Sequence, residues 1–386
     1  MKKNKIIIAV FIIFAFLSIS VVQAEEVEEN ITLEQVGESF GLDSYLSEVQ
    51  NCMKDYGVEN ININDISKDL LSGEGFDYKN IFSAIVSSFA REVLVALKGA
   101  VFIFVIIIIM SIMSQMELDK GSHIVEITNL ICFIAIASIL TITFKDVIVM
   151  FKNTSDVLSK IMQIVSPFLI AILIGTGAIT TTGMIQPLLL FISSLIGFIV
   201  TYVVVPFISV SIALNIISTI SDNLKFSDMS KLFNKCSLWL IGIVLTLFLG
   251  ILGLETSLSS TVDSLTVNVT QAAVSNFIPV VGKFFSDSFE TVIGATKIIG
   301  KTGGVVGIIT IILISSIPLL KITAIMVVYM LIASVSQIIC SNEKITKFIN
   351  GYAEVYKTLL GVLIGIDILF IISTGIILNL CSKIVT

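Results

Sequence analysis

Long apolar runs separated by short polar stretches dominate the chain from residue 81 to residue 386. The hydrocarbon core of a bilayer is about 30 Å thick, and a helix needs roughly 20 apolar residues to cross it. Eight runs reach or approach that length: Val93–Met113, Ile124–Phe144, Ile164–Thr182, Ile185–Val203, Leu238–Leu254, Val305–Leu320, Ile322–Cys340 and Thr358–Leu380. The pattern predicts an all-α, polytopic membrane helical bundle over residues 81–386, with about eight spans.

A ninth apolar segment, Pro206–Ile220, is shorter than the others. It could form a further span, a half-helix or a continuation of the preceding helix. Pro187 and Pro206 bracket this region, and each proline removes one backbone donor from a helix. In lipid that loss is tolerated only where neighbouring groups satisfy the freed carbonyl. The sequence therefore leaves the number of spans between seven and nine.

Residues 1–24 have the pattern of a cleavable signal peptide. Three lysines among the first five residues form a positive n-region, and Ile6–Leu17 forms an apolar h-region. Val22 and Ala24 then occupy the −3 and −1 positions of a cleavage site. Four glutamates follow within five residues. Cleavage after Ala24 is predicted in preference to a retained anchor, and it places the mature N-terminus outside the cytoplasm.

Residues 25–80 form a short acidic extracytoplasmic segment. Fourteen Asp and Glu residues stand against three lysines between Glu25 and Lys79. Leu46, Val49 and Met53 fall on one face of a predicted helix. With so few apolar residues, about 55 residues can hardly build an independent core. Two interpretations stay open: a solvated acidic leader, or a docking segment for an extracytoplasmic partner.

Composition excludes several function classes. Apolar residues make up 55% of the chain and charged residues only 13%, whereas soluble domains carry about a quarter charged residues. No basic stripe with interleaved aromatic residues predicts nucleic-acid binding. The five cysteines are widely spaced, so neither a disulfide framework nor a metal site is predicted. His123 is the only histidine, and no phosphate-binding loop or nucleophile elbow occurs. The sequence predicts neither an enzyme nor a bound cofactor.

The lysines do not settle the orientation of the spans. They form three sets, around Lys145–Lys160, Lys225–Lys235 and Lys344–Lys357. Positive residues favour the cytoplasmic side. With an external N-terminus and nine simple crossings, the second set falls inside while the first and third fall outside. In Asp146–Met162 apolar residues recur among polar ones, which suggests that some connections are helices lying at the membrane interface.

Asp367 is the charge placed deepest in a predicted span. An ionisable group at the centre of a span costs about 2.5–3.5 kcal/mol on insertion scales, so its presence requires either a function or a compensating contact. One interpretation is a proton or cation site, with Lys321 or Lys98 as counter-charge. The interpretation favoured by the sequence is a hydrogen bond to Ser or Thr in a neighbouring helix. Lys321 follows Pro318 and is predicted to lie at a turn between two spans, where its side chain can reach the interface.

The segment 256–304 is too polar to span a bilayer throughout, although apolar residues recur in it at roughly helical spacing. It predicts either a helical hairpin on the membrane surface or an amphipathic segment that faces a pore or a partner. The candidate interface or pore residues are Phe277, Pro279, Lys283, Phe284 and Asp287.

This segment also carries a resemblance to a known family. Asn276–Asp287, with the sequence NFIPVVGKFFSD, resembles the N-F-I-P-V-x-G-x-x-F-x-D segment of the stage III sporulation protein AE family. Gly303–Ile322 and Thr246–Gly250 are similar to the spans that flank that segment in the family. Leu70–Glu74 and Glu92–Leu94 match the approach to its first span. The resemblance runs from about Leu70 to the C-terminus.

The resemblance implies a role in endospore formation. Members of this family act with the other stage III sporulation A-series proteins and with stage II sporulation protein Q. Together they form a channel-like complex across the two membranes around the engulfed forespore. The complex sustains forespore development and late forespore-specific transcription. The implied location is the mother-cell membrane that surrounds the forespore, and the resemblance assigns no catalytic residues.

The alternative is an independent secondary transporter. Asp367 favours this function, as does a possible internal repeat, because Pro167 and Pro279 have the same 112-residue spacing as Pro206 and Pro318. Transporters are often built from two related halves with a pathway between them. One carboxylate without a relay makes a poor pathway, so the sequence favours the channel subunit.

Overall fold

The computed structural model describes residues 33–58, 61–72, 78–115, 123–220, 226–277, 281–339 and 343–383. Side chains in these ranges are described except at 34, 78–88, 114–115, 123–126, 256–262, 264–291 and 382–383. The predicted signal peptide, residues 1–24, lies outside the described residues.

The described residues form helices and no strand. Three short helices come first: α1 (Leu33–Ser39), α2 (Leu42–Asp55) and α3 (Ile63–Leu71). The longer helices that follow are α4 (Tyr78–Gln115), α5 (His123–Gly175), α6 (Ile179–Ile199), α7 (Val205–Ile220), α8 (Phe226–Phe277), α9 (Val281–Ile339) and α10 (Glu343–Lys383). A π-helical turn, Val200–Val204, joins α6 to α7.

Several predicted spans are parts of single helices. Runs Val305–Leu320 and Ile322–Cys340 both fall in α9, which continues through Pro318. The turn expected at Lys321 is therefore wrong. The physical reason is that one proline costs a helix a single backbone bond, whereas a turn in lipid would expose several unpaired groups.

The same joining occurs earlier in the chain. Ile124–Phe144 and most of Ile164–Thr182 belong to α5, which also contains the stretch expected to be an interfacial connection, Asp146–Met162. Pro206–Ile220 continues the preceding helix through the π-helical turn. In the part of the chain that the structure describes, six helical stretches are long and apolar enough to cross a membrane.

Helices α9 and α10 form the antiparallel centre of the bundle. Helices α4 and α5 pack on α9, while α7 and α8 pack on α10. Two adjacent glycines permit close approach within the first half of α9. A Cβ on Gly303 would overlap the Phe168 ring of α5, and a Cβ on Gly304 would overlap Leu378 of α10. Small residues commonly serve this purpose between membrane helices.

Hydrogen bonds join the helices at the end of the bundle where α9 meets α10. The Ser111 hydroxyl of α4 donates to the carbonyl of Ile339 at 2.7 Å. The Asn215 amide of α7 donates to the carbonyl of Phe348 at 3.1 Å. These bonds place the C-terminal ends of α4, α7 and α9 beside the start of α10.

The three short helices dock at the opposite end. The Tyr45 hydroxyl donates to the carbonyl of Gly303 at 2.7 Å, and its ring stacks on Phe168 with centroids 4.3 Å apart. Burial raises the pKa of Tyr45, so the hydroxyl keeps its proton. Gly303 and Ile339 are 36 residues apart in α9, which corresponds to about 54 Å of helix.

The apolar face predicted in the acidic segment is confirmed. Leu46, Val49 and Met53 are all buried, with Val49 and Met53 fully so. Their partners are the bundle itself, because α2 packs on α5 and α9. The Gln50 side chain ties α2 to α3: it donates to the carbonyl of Ile61 at 3.1 Å and accepts from the Ile63 amide at 2.8 Å. Residues 33–72 are therefore a docked part of the bundle surface.

A carboxylate from α8 caps the start of α6. The two oxygens of Asp263 accept from the amides of Thr180 and Thr181 at 3.0 and 2.8 Å. Ala178, at the N-cap position, offers no side-chain acceptor of its own. Burial opposes ionisation of Asp263, but the hydrogen bonds from both threonines outweigh it and lower the pKa of the carboxyl. The negative charge also lies favourably at a helix N-terminus.

Replacing the cap should destabilise the protein in a pH-dependent way. We expect Asp263→Ala to lower the free energy of unfolding by about 0.5–2 kcal/mol at pH 7, the usual cost of losing a cap. Because the folded pKa is lowered, the stabilisation is complete above the unfolded pKa of about 3.9 and is lost as the pH falls through the folded pKa. Thermal unfolding of the purified protein in detergent at several pH values measures this difference.

Asp228, on the same helix, supplies the matched control. It is exposed, pairs with exposed Lys231 at 3.6 Å and lies in the first turn of α8, so Asp228→Ala should lose only a few tenths of a kcal/mol from an exposed pair and a helix-end charge. Equal melting temperatures for wild type and Asp263→Ala at pH 7 would contradict the capping role.

A second substitution tests the docking of the short helices. Tyr45→Ala removes both the buried ring and its hydrogen bond, at a cost of about 3 kcal/mol or more for a core aromatic residue. Tyr45→Phe removes only the bond, which is worth about 1 kcal/mol. We expect faster tryptic cleavage at Lys54 and Lys68 in the alanine variant and a smaller change in the phenylalanine variant. Unchanged cleavage in Tyr45→Ala, with exposed Ser47→Ala as control, would show that Tyr45 does not hold these helices.

Candidate functional site

Asp367 lies in the core of the bundle. It is on α10 with no exposed surface. The Ser315 hydroxyl of α9 lies beside its carboxyl, but that hydroxyl donates to the carbonyl of Ile312 at 3.3 Å. Neither oxygen of Asp367 has a hydrogen-bond partner among the described residues. Ser315 is a serine of a neighbouring helix, as the sequence favoured, and the hydrogen bond itself stays a prediction.

Tyr56, which directly follows α2, is the residue of the docked N-terminal segment that interacts electrostatically with Asp367. The Tyr56 hydroxyl shares a hydrogen bond with the Thr154 hydroxyl of α5 at 2.5 Å. Burial and, to a smaller extent, the charge of Asp367 raise the pKa of Tyr56, while the bond to Thr154 lowers it, and the net change is upward. Asp367 is thus within electrostatic reach of the docked N-terminal residues.

Lys321 is not brought to Asp367. It lies within α9 and lines a cavity of about 240 Å³ together with Glu92 of α4 and Asp146 of α5. The hydroxyl-bearing side chains of Thr143 and Tyr329 complete the polar part of the wall. Lys98, the other suggested counter-charge, is exposed on α4. Neither lysine forms a salt bridge with Asp367 in the described part of the chain.

A group of hydroxyls extends from this cavity into the core. Tyr329 and Tyr356 meet edge to face with centroids 5.5 Å apart. The hydroxyls of Tyr352 and Thr141 share a hydrogen bond of 2.9 Å. Further along α10, Leu359 and Leu363 are completely buried between Tyr356 and Asp367. Along this helix the polar groups near the cavity are therefore separated from Asp367 by apolar side chains.

The amphipathic segment 256–304 is divided between two helices. Phe277 is the last residue of α8, and Lys283, Phe284 and Asp287 fall in the first turns of α9. Their side chains, and the whole of Pro279, lie outside the described residues. The interface or pore role of these five residues stays a prediction. Asp263 is the one described side chain between 256 and 291, and the sequence reasoning missed it.

Two lysine sets meet at one end of the bundle. Lys231 and Lys235 lie near the start of α8, and Lys344 and Lys347 lie near the start of α10. Asn215 of α7 contacts the backbone of Phe348, and Ser211 of α7 shares a 2.8 Å hydrogen bond with Ser230 of α8. The acidic N-terminal helices dock at the other end, where Lys160 is within electrostatic reach of Cys52.

The described residues contain no group of three His, Cys, Asp or Glu side chains that could hold a metal ion. The described cysteines are free thiols.

Comparison with known proteins gives two matches. The family model described as stage III sporulation protein AE matches residues 61–381. Stage III sporulation protein AE of Bacillus subtilis (strain 168) is 28% identical over 180 residues, which are 47% of this chain and 45% of the relative. The aligned region thus spans less than half of that relative's length. No solved structure gives a significant match.

The family match covers well over half of the chain and includes the membrane helices. The protein belongs to the stage III sporulation protein AE family.

Proposed function

We propose that this protein is a membrane-embedded subunit of the channel- or secretion-type complex that joins mother cell and forespore during endospore formation. The other stage III sporulation A-series proteins and, through the complex, stage II sporulation protein Q are its partners. The complex supports forespore development and late forespore-specific transcription. The protein resides as a multi-pass component of the mother-cell membrane around the forespore. Family membership and the membrane helices support this proposal.

The observation that carries the proposal is the docked N-terminal segment. One face of α2 is buried against the bundle, while Asp43, Glu48 and Asp55 on its other face are exposed. A charged, rigidly held surface at one end of a membrane bundle suits assembly with partners outside the cytoplasm. A transporter that works without partners has no need for such a surface to be held in place.

The charges at the two ends support one orientation. The end with Lys231, Lys235, Lys344 and Lys347 is cytoplasmic by the positive-inside rule. The acidic N-terminal helices then lie outside, as a cleaved signal peptide requires. Six crossings follow: α4, α5, the continuous α6–α7 helix, α8, α9 and α10. Unlike nine crossings, six place the second and third lysine sets on the same side, while Lys160 of the first set lies at the acidic end.

One observation favours the alternative of a secondary transporter. Asp367 is fully buried and unpartnered among the described residues, and intramembrane carboxyls often mark ion pathways. The apolar layer of Leu359 and Leu363 argues against a path along α10 to Asp367. In that case the role of Asp367 is structural, within the packed interior of the subunit.

Deletion and one substitution separate the two functions. In a spore-forming host, deletion of the gene should arrest forespores after engulfment, as seen by fluorescence microscopy and a late forespore-specific reporter. We expect Asp367→Asn, which keeps the side-chain shape and removes its ionisation, to restore development to near the wild-type level.

An immunoblot of the membrane fraction shows whether Asp367→Asn accumulates to the wild-type level. Normal sporulation after deletion would contradict the proposed function. Arrest by Asp367→Asn at normal protein level, with loss of a proton- or ion-dependent flux, would favour the transporter.

A further inference from the structure

The cavity beside Lys321 has the form of a groove with one polar and one apolar end. Glu92, Asp146 and Lys321 stand at its polar end, on three different helices. From there the α4 wall continues through Val95, Ala96, Gly99, Ala100 and Ile103, which follow the stripe expected of one helical face. A pocket of this kind fits an amphiphile better than a uniformly polar solute.

The groove opens sideways from the bundle. Val95 is 56% exposed, and a Cβ built on Gly99 meets nothing within 4 Å. Ala100 and Ile103, at the deeper end of the same stripe, are buried. A ligand can therefore enter from the side that faces lipid.

The depth of the polar end matches a headgroup layer. Ser111 marks the lysine-rich end of α4 through its bond to Ile339. Glu92 lies 19 residues from Ser111 on the same helix, or about 28 Å. The hydrocarbon core of a bilayer is about 30 Å thick. Glu92 and its two charged neighbours thus lie one hydrocarbon thickness from that end, in the outer leaflet if the orientation proposed above holds.

The charges select the kind of headgroup. Lysine is a common phosphate ligand, and the hydroxyl of Tyr329 can also donate to a phosphate oxygen, whereas that of Thr143 already donates to the carbonyl of Ile139 at 3.1 Å. Two carboxylates beside them attract an ammonium group and repel a headgroup that is only anionic. A primary ammonium can donate three hydrogen bonds, whereas a quaternary ammonium has no N–H to donate.

We propose that this groove binds a zwitterionic aminophospholipid of the phosphatidylethanolamine type. Lys321 contacts the phosphate, Glu92 and Asp146 contact the ammonium group, and the Val95–Ile103 stripe receives the upper part of an acyl chain. The site does not depend on the proposed role in sporulation, because it is defined by the groove alone.

Native mass spectrometry of the full-length protein in detergent tests the site by lipid titration. The lipids are phosphatidylethanolamine, phosphatidylglycerol and phosphatidylcholine with the same acyl chains. Wild type should bind phosphatidylethanolamine about tenfold more tightly than phosphatidylglycerol, the effect of roughly one charge-assisted hydrogen bond. Soluble glycerophosphoethanolamine should not compete, because it lacks the acyl chain.

Variants assign the binding to this groove. A Cβ on Gly99 meets nothing within 4 Å, so Gly99→Leu places a side chain in the open groove and should abolish the tight binding. Gly242→Leu is the matched control, since Gly242 on α8 is equally unobstructed and lies outside the groove. The double variant Glu92→Gln, Asp146→Asn should lose the preference for phosphatidylethanolamine over phosphatidylglycerol, and Lys321→Gln should weaken both lipids.

Three results would overturn the proposal. Phosphatidylglycerol or phosphatidylcholine could bind wild type as tightly as phosphatidylethanolamine. Gly99→Leu could bind lipid like Gly242→Leu. Glycerophosphoethanolamine could compete at equal concentration, which would assign the groove to a soluble zwitterion.

Discussion

The fold depends on the requirement that backbone groups in hydrocarbon be paired within their own helix. This favours long uninterrupted helices, and α5 and α9 continue through Pro167 and Pro318. With 59 residues, α9 is about 88 Å long, nearly three times the hydrocarbon thickness. Part of its length therefore lies outside the hydrocarbon core. Docked helices α1–α3, together with α5 and α10, surround its first half, where Gly303 and Gly304 permit close packing.

Polar contacts then fix the ends of the bundle, where apolar packing alone would allow helices to slide. Asp263 holds the start of α6 to α8, and Tyr45 holds the N-terminal helices to α9. Ser111 and Asn215 hold α4 and α7 at the other end. As a result, the acidic helices lie at one end of the bundle, and the second and third lysine sets lie at the other. The same arrangement sets the depth of the cavity that Glu92, Asp146 and Lys321 line.

Helical class and the apolar face of Leu46, Val49 and Met53 could be predicted from sequence because both depend on periodicity. The number of helices could not, since an apolar run reveals composition but not where a chain turns. Pro318 followed by Lys321 looks like a turn, yet tertiary packing keeps the helix intact. Asp263 was missed because its partners, Thr180 and Thr181, are more than 80 residues away. A glycine at 177 shortly before three threonines is a sequence pattern typical of a helix start, but the pattern does not show which residue caps that helix.

The central claim is that acidic helices and lysine-rich ends lie on opposite sides of the membrane. Cysteine labelling in a cysteine-free variant tests it most directly. Glu48→Cys reports on exposed α2, and Lys347→Cys reports on the exposed start of α10. In vegetative cells that express each variant in the plasma membrane and have been stripped of their wall, a membrane-impermeant maleimide should label the first variant, and should label the second only after permeabilisation. Labelling of both before permeabilisation, or of Lys347→Cys alone, would contradict this architecture.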